Sequence, residues 1–244
     1  CRGTSGFAHV SCLAEQAKIL LDEAEYNNLG VNVINKRWLR WGECSLCKQE
    51  YHGLVACALG WACRPEADAC RKSAMNQLGK GLNDAGHDGY ALIVKEAELA
   101  IHRRLGAPES HLLTVQANLA CTLDELGRYE EALPMKRDVH SGHARLFGEE
   151  ASITLISANN YASCLVKLKR FEEAKSLLRK TMPVARRVLG DNDENTLRLR
   201  WSYAKALYRD PTATLDDLHE AVETHEDLER IALRVFGGAH PATE

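Results

Sequence analysis

The sequence predicts an all-α protein, an α-α superhelix built from stacked helical repeats. One segment, LGRYEEA at residues 126–132, returns 42 residues later as LKRFEEA at residues 168–174. Small residues recur with the same period of 42: Ala120, Ala162 and Ala204, and Gly106, Gly148 and Gly190. A fixed period between 20 and 50 residues is typical of an array in which each unit stacks on the next.

One repeat is predicted to be a helical hairpin. Apolar residues fall at helical spacing through residues 112–126, and Gly127 then suits a helix end because glycine tolerates a positive φ. A second amphipathic run covers residues 129–147, with Glu130 and Glu131 in its first turn, where they complement the helix dipole. Neither helix can bury its apolar stripe alone, so neighbouring repeats must supply the core.

The repeats differ in regularity along the chain. The first, with helices predicted at 67–83 and 90–105, is atypical because Asp88 stands where later repeats have an aromatic residue. The second and third, residues 109–148 and 151–190, are the regular ones.

Two features interrupt the regular pattern. Pro134 and Pro183 fall inside second helices, where each removes a backbone hydrogen bond and is expected to bend its helix. In the fourth repeat 17 residues separate Ala204 from Ala221, where the earlier equivalents are 12 apart, and residues 210–212 supply turn chemistry for this insertion.

This pattern resembles the tetratricopeptide repeat (TPR), and the period of 42 with ANLA at residues 117–120 is similar to the long repeats of the kinesin light chain family. The resemblance covers residues 66–244 and implies a platform that binds a peptide or protein. It also implies that Asn118 and Asn160, with Ser202 third in the series, reach into a groove and hold the backbone of an extended peptide. The alternative for these polar residues is a helix contact or a solvent-facing position.

The first 65 residues predict a separate metal-binding module. His9 and Cys12, and Cys44 and Cys47, form His-x2-Cys and Cys-x2-Cys pairs, each of which places two soft ligands where both can reach one Zn²⁺ ion. A helix is expected over residues 13–26. Free cysteines at helix ends are the alternative, and His52 after Cys47 leaves open a compact Cys2His2-like site.

The order of these residues resembles the C-terminal part of a RING-variant (RING-CH) zinc finger. The shared landmarks are Cys1-Arg2-Gly3, His9-Val10-Ser11-Cys12-Leu13, Trp38, Trp41, Cys44, Cys47 and Tyr51. The resemblance implies that His9 and Cys12 belong to a first zinc site and Cys1, Cys44 and Cys47 to a second. The three missing ligands of eight are expected upstream, so the chain is interpreted as a fragment.

Composition excludes several classes of protein. With 31 basic and 34 acidic residues, and a formal net charge of −3, there is no electrostatic case for a nucleic-acid partner. No apolar run approaches the ~18 residues of a membrane span. The odd number of cysteines, nine, favours a reducing, cytoplasmic compartment, and Cys121 and Cys164 are expected to be small buried hydrophobes inside the repeats.

Two functions of different class follow. The RING-CH resemblance implies a ubiquitin ligase that docks a ubiquitin-loaded E2 enzyme while the repeats choose the target, with no catalytic nucleophile of its own. The alternative is a non-enzymatic scaffold in which zinc only stabilises the N-terminal module, residues 1–65, ahead of the repeats at 66–244. No phosphate-binding loop, activated serine or paired carboxylates indicate any other enzyme.

Overall fold

The computed structural model of the protein describes residues 10–43, 51, 55–56, 59 and 68–236. These residues contain helices and no β-strand, which confirms the all-α prediction. The helices whose two ends are described are α1 (Val10–Tyr26), α2 (Val31–Trp38), α3 (Asp68–Asp84), α4 (Asp88–Arg104), α5 (Glu109–Glu125), α6 (Tyr129–Phe147), α7 (Ser152–Lys167), α8 (Phe171–Leu189), α9 (Glu194–Arg209) and α10 (Leu215–Phe236), with a short 3₁₀-helix (Leu39–Trp41) after α2.

The chain divides into two compact units, residues 1–126 and 127–244. The division falls between α5 and α6, so the two helices of the predicted second repeat belong to different units. The predicted boundary between residues 65 and 66 stays a prediction.

In the first unit, the N-terminal helices share a core with the first repeat helix. Ala17 and Leu21 of α1, Trp41, and Leu59 form one buried cluster with Ala74 of α3. Trp41, a landmark of the zinc-finger resemblance, is therefore a core residue of this cluster. The helix predicted over residues 13–26 is observed and begins three residues earlier, at Val10.

In the second unit, the helices meet around small residues. Ala162 of α7 and Ala204 of α9 are completely buried, and they pack in one cluster with Leu155, Leu178 and Leu207. The absence of side-chain bulk at these alanines lets neighbouring helices approach closely, as the period of 42 predicted.

The turns inside the hairpins use one backbone conformation with different residues. Gly127, which follows α5, has φ of 71°. Its counterpart one period later, Lys169 before α8, has φ of 59°. An L-residue other than glycine is strained in this region because its Cβ approaches the carbonyl oxygen. The repeat frame therefore imposes the turn at residue 169 against the preference of lysine.

The five extra residues of the fourth repeat are shared between the turn and the next helix. The turn between α9 and α10 has five residues, 210–214, where the turn before α8 has three, 168–170. The other three extend the start of α10, because Ala221 is its seventh residue whereas Ala174 is the fourth residue of α8.

The insertion is held at both of its ends. Lys175 Nζ of α8 donates to Asp210 Oδ2 at 2.8 Å, and both side chains are 5% exposed. At the other end, Thr214 and Asp217 form a reciprocal capping box, with Asp217 N–H donating to Thr214 Oγ1 at 3.1 Å and Thr214 N–H donating to Asp217 Oδ2 at 2.8 Å. The longer connection is therefore an ordered turn.

Candidate protein-binding surfaces

Asn118 lines a cavity of about 660 Å³ in the first unit. The cavity lies between α3, the first half of α4 and the second half of α5. Its backbone oxygen accepts hydrogen bonds from Thr122 Oγ1 at 3.2 Å and from Lys95 Nζ at 3.4 Å. The side chain is partly exposed, so its amide lies at a surface that a ligand could reach. The predicted contact of Asn118 with a peptide stays a prediction.

A buried lysine forms the polar floor of this cavity. Lys95 Nζ donates to Thr122 Oγ1 at 2.7 Å and to Asn83 Oδ1, and Thr122 Oγ1 lies 2.9 Å from the same Asn83 oxygen. Burial lowers the pKa of Lys95, and the nearby Cys121 and Glu98 partly oppose this shift. A cation at the base of a cavity favours ligands that carry carbonyl or carboxylate oxygens.

Asn160 and Ser202 belong to the second unit, where they occupy different environments. Asn160 is half-buried on α7. Ser202 is 4% exposed, and its hydroxyl donates to Asn159 Oδ1 at 2.8 Å, joining α9 to α7. Ser202 therefore makes a structural contact between helices, and its predicted contact with a peptide stays a prediction.

The exposed side of α9 carries a stripe of aromatic and basic residues that are not among the predicted site residues. Trp201 is 47% exposed and Tyr208 is 45% exposed. Lys205 Nζ lies 4.5 Å from the centroid of the Trp201 ring, and Arg209 Cζ lies 6.0 Å from that of Tyr208. We call these four residues the basic–aromatic surface.

The electrostatics of this surface are set by like charges. Partial burial lowers the pKa of Lys205, and the positive charges of Arg209 and of Lys167 on α7 lower it further. Lys167 in turn lies over the ring of Tyr129, at 4.8 Å from its centroid. A cation on an aromatic face is stabilised by the ring quadrupole, and a cluster of cations attracts acidic groups.

A signal for the basic–aromatic surface was present in the sequence. Residues 201, 205 and 208 have the i, i+4, i+7 spacing of one helix face. Leu199, Tyr203 and Leu207 have helical spacing on the buried side of α9. The apolar stripe therefore places Trp201 and Lys205 outside.

Most of the predicted zinc ligands lie outside the described residues. This applies to Cys1, His9, Cys44 and Cys47, and also to His52. Cys12 lies in the first turn of α1. Within the described part of the chain no group of three or more histidine, cysteine or acidic side chains could hold a metal. The zinc hypothesis therefore rests on the residue pattern alone.

The two cysteines inside the repeats differ. Cys164 is fully buried in α7 as predicted, and its Sγ lies 3.5 Å from the backbone oxygen of Tyr129, which accepts its hydrogen bond. Cys121 of α5 is exposed, so the prediction that it is a buried hydrophobe was wrong. It lines the cavity beside Thr122, at a position that faces away from the buried Leu119 and Leu123.

Among the described helices, none combines the length and hydropathy needed to cross a lipid bilayer.

Comparison with known proteins supports the repeat assignment. Residues 112–150 and 153–210 match family models of the tetratricopeptide repeat. No curated protein matches the chain.

Two solved structures are similar over nearly the whole chain. One is a crystal structure from Podosopora anserina, described as nearly identical TPR-like repeats of a kinesin light chain. It is 19% identical to this chain with a TM-score of 0.58, and the match covers 93% of this chain and 98% of that one. BtubC (BKLC) from P. vanneervenii shares 13% identity with a TM-score of 0.68, over 95% of this chain and 92% of that one. At these identities the likeness establishes the fold, which is an all-helical array of TPR-like repeats.

Proposed function

We propose that the chain is a protein-interaction module that binds an acidic segment of a partner protein on the basic–aromatic surface of its second unit. TPR repeats bind proteins or peptides, and this class of function is supported by the two family matches. The observation that supports this particular surface is the half-exposed Trp201 with Lys205 over its ring. Aromatic residues and arginine are enriched at binding hot spots, and the neighbouring cations favour an acidic partner.

Selection from a random 12-residue peptide library displayed on phage tests this proposal without a known ligand. We expect peptides enriched in Asp and Glu, and we expect Trp201→Ala to weaken a selected peptide about 30-fold, the loss of a hot spot worth roughly 2 kcal/mol. Lys205→Glu should reverse the preference for acidic sequences. Lys180→Glu on α8 serves as a matched control because Lys180 is exposed and lies outside this surface.

Unchanged selection by both Trp201→Ala and Lys205→Glu would contradict the proposal. In the same experiment, Asn118→Ala and Asn160→Ala test the sequence prediction that these amides hold a peptide backbone. If these two variants lose affinity for the selected peptides and Trp201→Ala does not, the peptide binds at the predicted asparagines instead of the basic–aromatic surface.

A zinc-binding finger at the N-terminus is a separate proposal, supported by the spacing of Cys1, His9, Cys12, Cys44 and Cys47. Elemental analysis of the purified chain, with Cys44→Ser and Cys47→Ser as controls, measures zinc directly. Ubiquitin transfer by a longer protein containing this chain would require an E2 enzyme in the assay. Zinc binding without ubiquitin transfer would favour the scaffold.

A further inference from the structure

The second unit contains a cavity of about 470 Å³ whose lining is dominated by arginine. Arg186 at the end of α8, Arg200 on α9, and Arg230 and Arg234 on α10 line it. Its acidic lining residues are Asp191 and Asp227. We call this cavity the arginine pocket. Four guanidinium groups against two carboxylates leave two positive charges among the lining side chains.

Both carboxylates of the pocket already form ion pairs with its arginines. The Asp227 carboxylate accepts a hydrogen bond from Arg200 and lies 3.3 Å from Arg230. The hydrogen bond from Arg200 is the largest cause that lowers the pKa of this carboxyl, and the positive charges of Arg200 and Arg230 lower it further. Asp191 lies 3.2 Å from Arg186. Arg234 Nη2 reaches the amide oxygen of Asn192 at 3.4 Å. The amide carries no charge, so it leaves the charge of Arg234 uncompensated at that contact.

The preceding repeat shows the same contact with its charge balanced. In that repeat Glu150 stands 42 residues before Asn192, and Arg187 stands 47 residues before Arg234, which is one period plus the five inserted residues. Arg187 Nη2 and Glu150 Oε1 are 2.5 Å apart and form an ion pair. The change from glutamate to asparagine between the two repeats therefore removes one negative charge from an otherwise equivalent position.

The second change between these repeats adds a buried cation. Arg200 stands one period after Ala158, which is completely buried. The Arg200 side chain is itself only 7% exposed, and it is held by Asp227. A buried arginine needs several acceptors for its five N–H donors, so a core position that accepts arginine in place of alanine requires a compensating partner.

We propose that the arginine pocket binds a dianionic phosphate group, either as the monoester on a phosphorylated side chain of a partner or as inorganic phosphate. A phosphate monoester carries about −1.5 to −2 charges near neutral pH, which matches the two uncompensated positive charges. Its three terminal oxygens accept the paired N–H groups of planar guanidiniums, a geometry in which arginine binds better than lysine. This site is additional to the basic–aromatic surface, whose four residues it does not use.

The charge balance supplies a discriminating variant. Asn192→Glu restores the arrangement of the preceding repeat, so Arg234 gains an ion pair and the pocket loses half of its excess charge without the removal of any arginine. We expect it to weaken phosphate binding about tenfold or more, the loss of one charge-assisted interaction. Because the Arg187–Glu150 pair shows that the fold accepts this contact, Asn192→Glu should unfold at the wild-type temperature or above it. Arg234→Gln, which removes an exposed cation, should weaken binding similarly.

The measurement is an NMR titration of the arginine Nε–H signals of the full chain. The probes are inorganic phosphate and a short peptide containing phosphoserine, with the unphosphorylated peptide and acetate as controls. We expect saturable shifts for phosphate groups, no saturable shift for either control, and an unchanged affinity in Arg187→Gln. Tighter binding of the phosphopeptide would identify a phosphorylated partner, and equal binding would identify free phosphate. Non-saturable shifts, or the same affinity in wild type and Asn192→Glu, would overturn the proposal.

Discussion

Glu98 of α4 is a buried carboxyl that should make the protein less stable at neutral pH than at mildly acidic pH. The residue is 2% exposed, and one carboxyl oxygen, Oε2, has no hydrogen-bond partner among the described residues. Burial raises the pKa of Glu98 from 4.5 to about 7, although a hydrogen bond from Asn76 and the charge of Lys95 act in the opposite direction. The perturbation that removes the charge and keeps the shape is Glu98→Gln.

The sign follows from proton binding in the two states. Between pH 4.5 and 7, the folded protein holds a proton on Glu98 that the unfolded chain has released. Stability from this group is therefore full below pH 4.5 and falls as the pH rises to 7. At about 1.4 kcal/mol per pKa unit, the loss reaches about 3 kcal/mol above pH 7. Glutamine has no such loss, because it carries no charge in either state.

Urea denaturation of the two proteins at pH 5 and pH 8 measures this difference. We expect the difference in free energy of unfolding, wild type minus Glu98→Gln, to fall by about 2–3 kcal/mol from pH 5 to pH 8. The fall is smaller than the full loss because part of that loss has already occurred at pH 5. Glu96→Gln is the matched control, because Glu96 lies on the same helix and is exposed. It should show no comparable change.

A direct reading comes from the ¹³C chemical shift of the Glu98 carboxyl carbon, whose titration midpoint we expect near pH 7. A midpoint close to 4.5, together with parallel pH profiles for the wild type and Glu98→Gln, would refute the reasoning. It would mean that water or Lys95 stabilises the carboxylate about as much as burial destabilises it.

Four further predictions concern the repeats, each checked by chemical denaturation. Ala162→Leu should lower the free energy of unfolding by roughly 1–3 kcal/mol, because it overpacks a completely buried helix contact. Lys169→Gly should raise the free energy of unfolding by roughly 0.5–1 kcal/mol, because relief of the positive-φ strain exceeds the added entropy of glycine in the unfolded chain. Lys175→Met should destabilise the protein more than the double change Lys175→Met with Asp210→Asn, since the single change strands a carboxylate that is 5% exposed; equal effects would show that the pair is solvated. Because the Lys175 hydrogen bond, with those from Thr212, lowers the pKa of Asp210 to about 2, wild-type stability should also decline as the pH falls from about 4 to 2.

The helical hairpins could be predicted because the small residues at helix contacts and the glycines at helix ends recur with the same period. The helix predicted over residues 129–147 coincides with α6, and α5 begins three residues before the predicted run at 112. Helix ends are marked locally by residues such as Gly127, so the sequence alone places them well. The same period also predicted the wrong exposure for Cys121, because a helical position inside a repeat does not say which side of the helix is covered.

The buried polar face of α4 could not be predicted from hydrophobic spacing. Ala91, Lys95 and Glu98 lie on one helix face and are all buried, whereas the apolar Tyr90 and Ile93 are 67% and 63% exposed. Because Leu92 and Leu99 are buried as well, the apolar residues of α4 fall on both sides of the helix and do not define one buried face. The bonds that stabilise Lys95 come from Asn83 and Thr122, on two other helices, and only the folded unit brings them together.

Comparison of equivalent positions in the described repeats distinguishes residues needed for helix packing from residues that packing does not explain. Residues that keep the period, such as Ala162 and Ala204, are explained by packing. Residues that break it have no such explanation: Arg200 in place of Ala158 introduces a charge into a buried site, and such a change is stabilised only if a partner accepts the guanidinium. Asp227 accounts for one positive charge at that site, and it is shared with Arg230. The fourth repeat thus departs from the regular second and third repeats in both charge and length, and a ligand-binding role is the physical reason we infer for the excess charge.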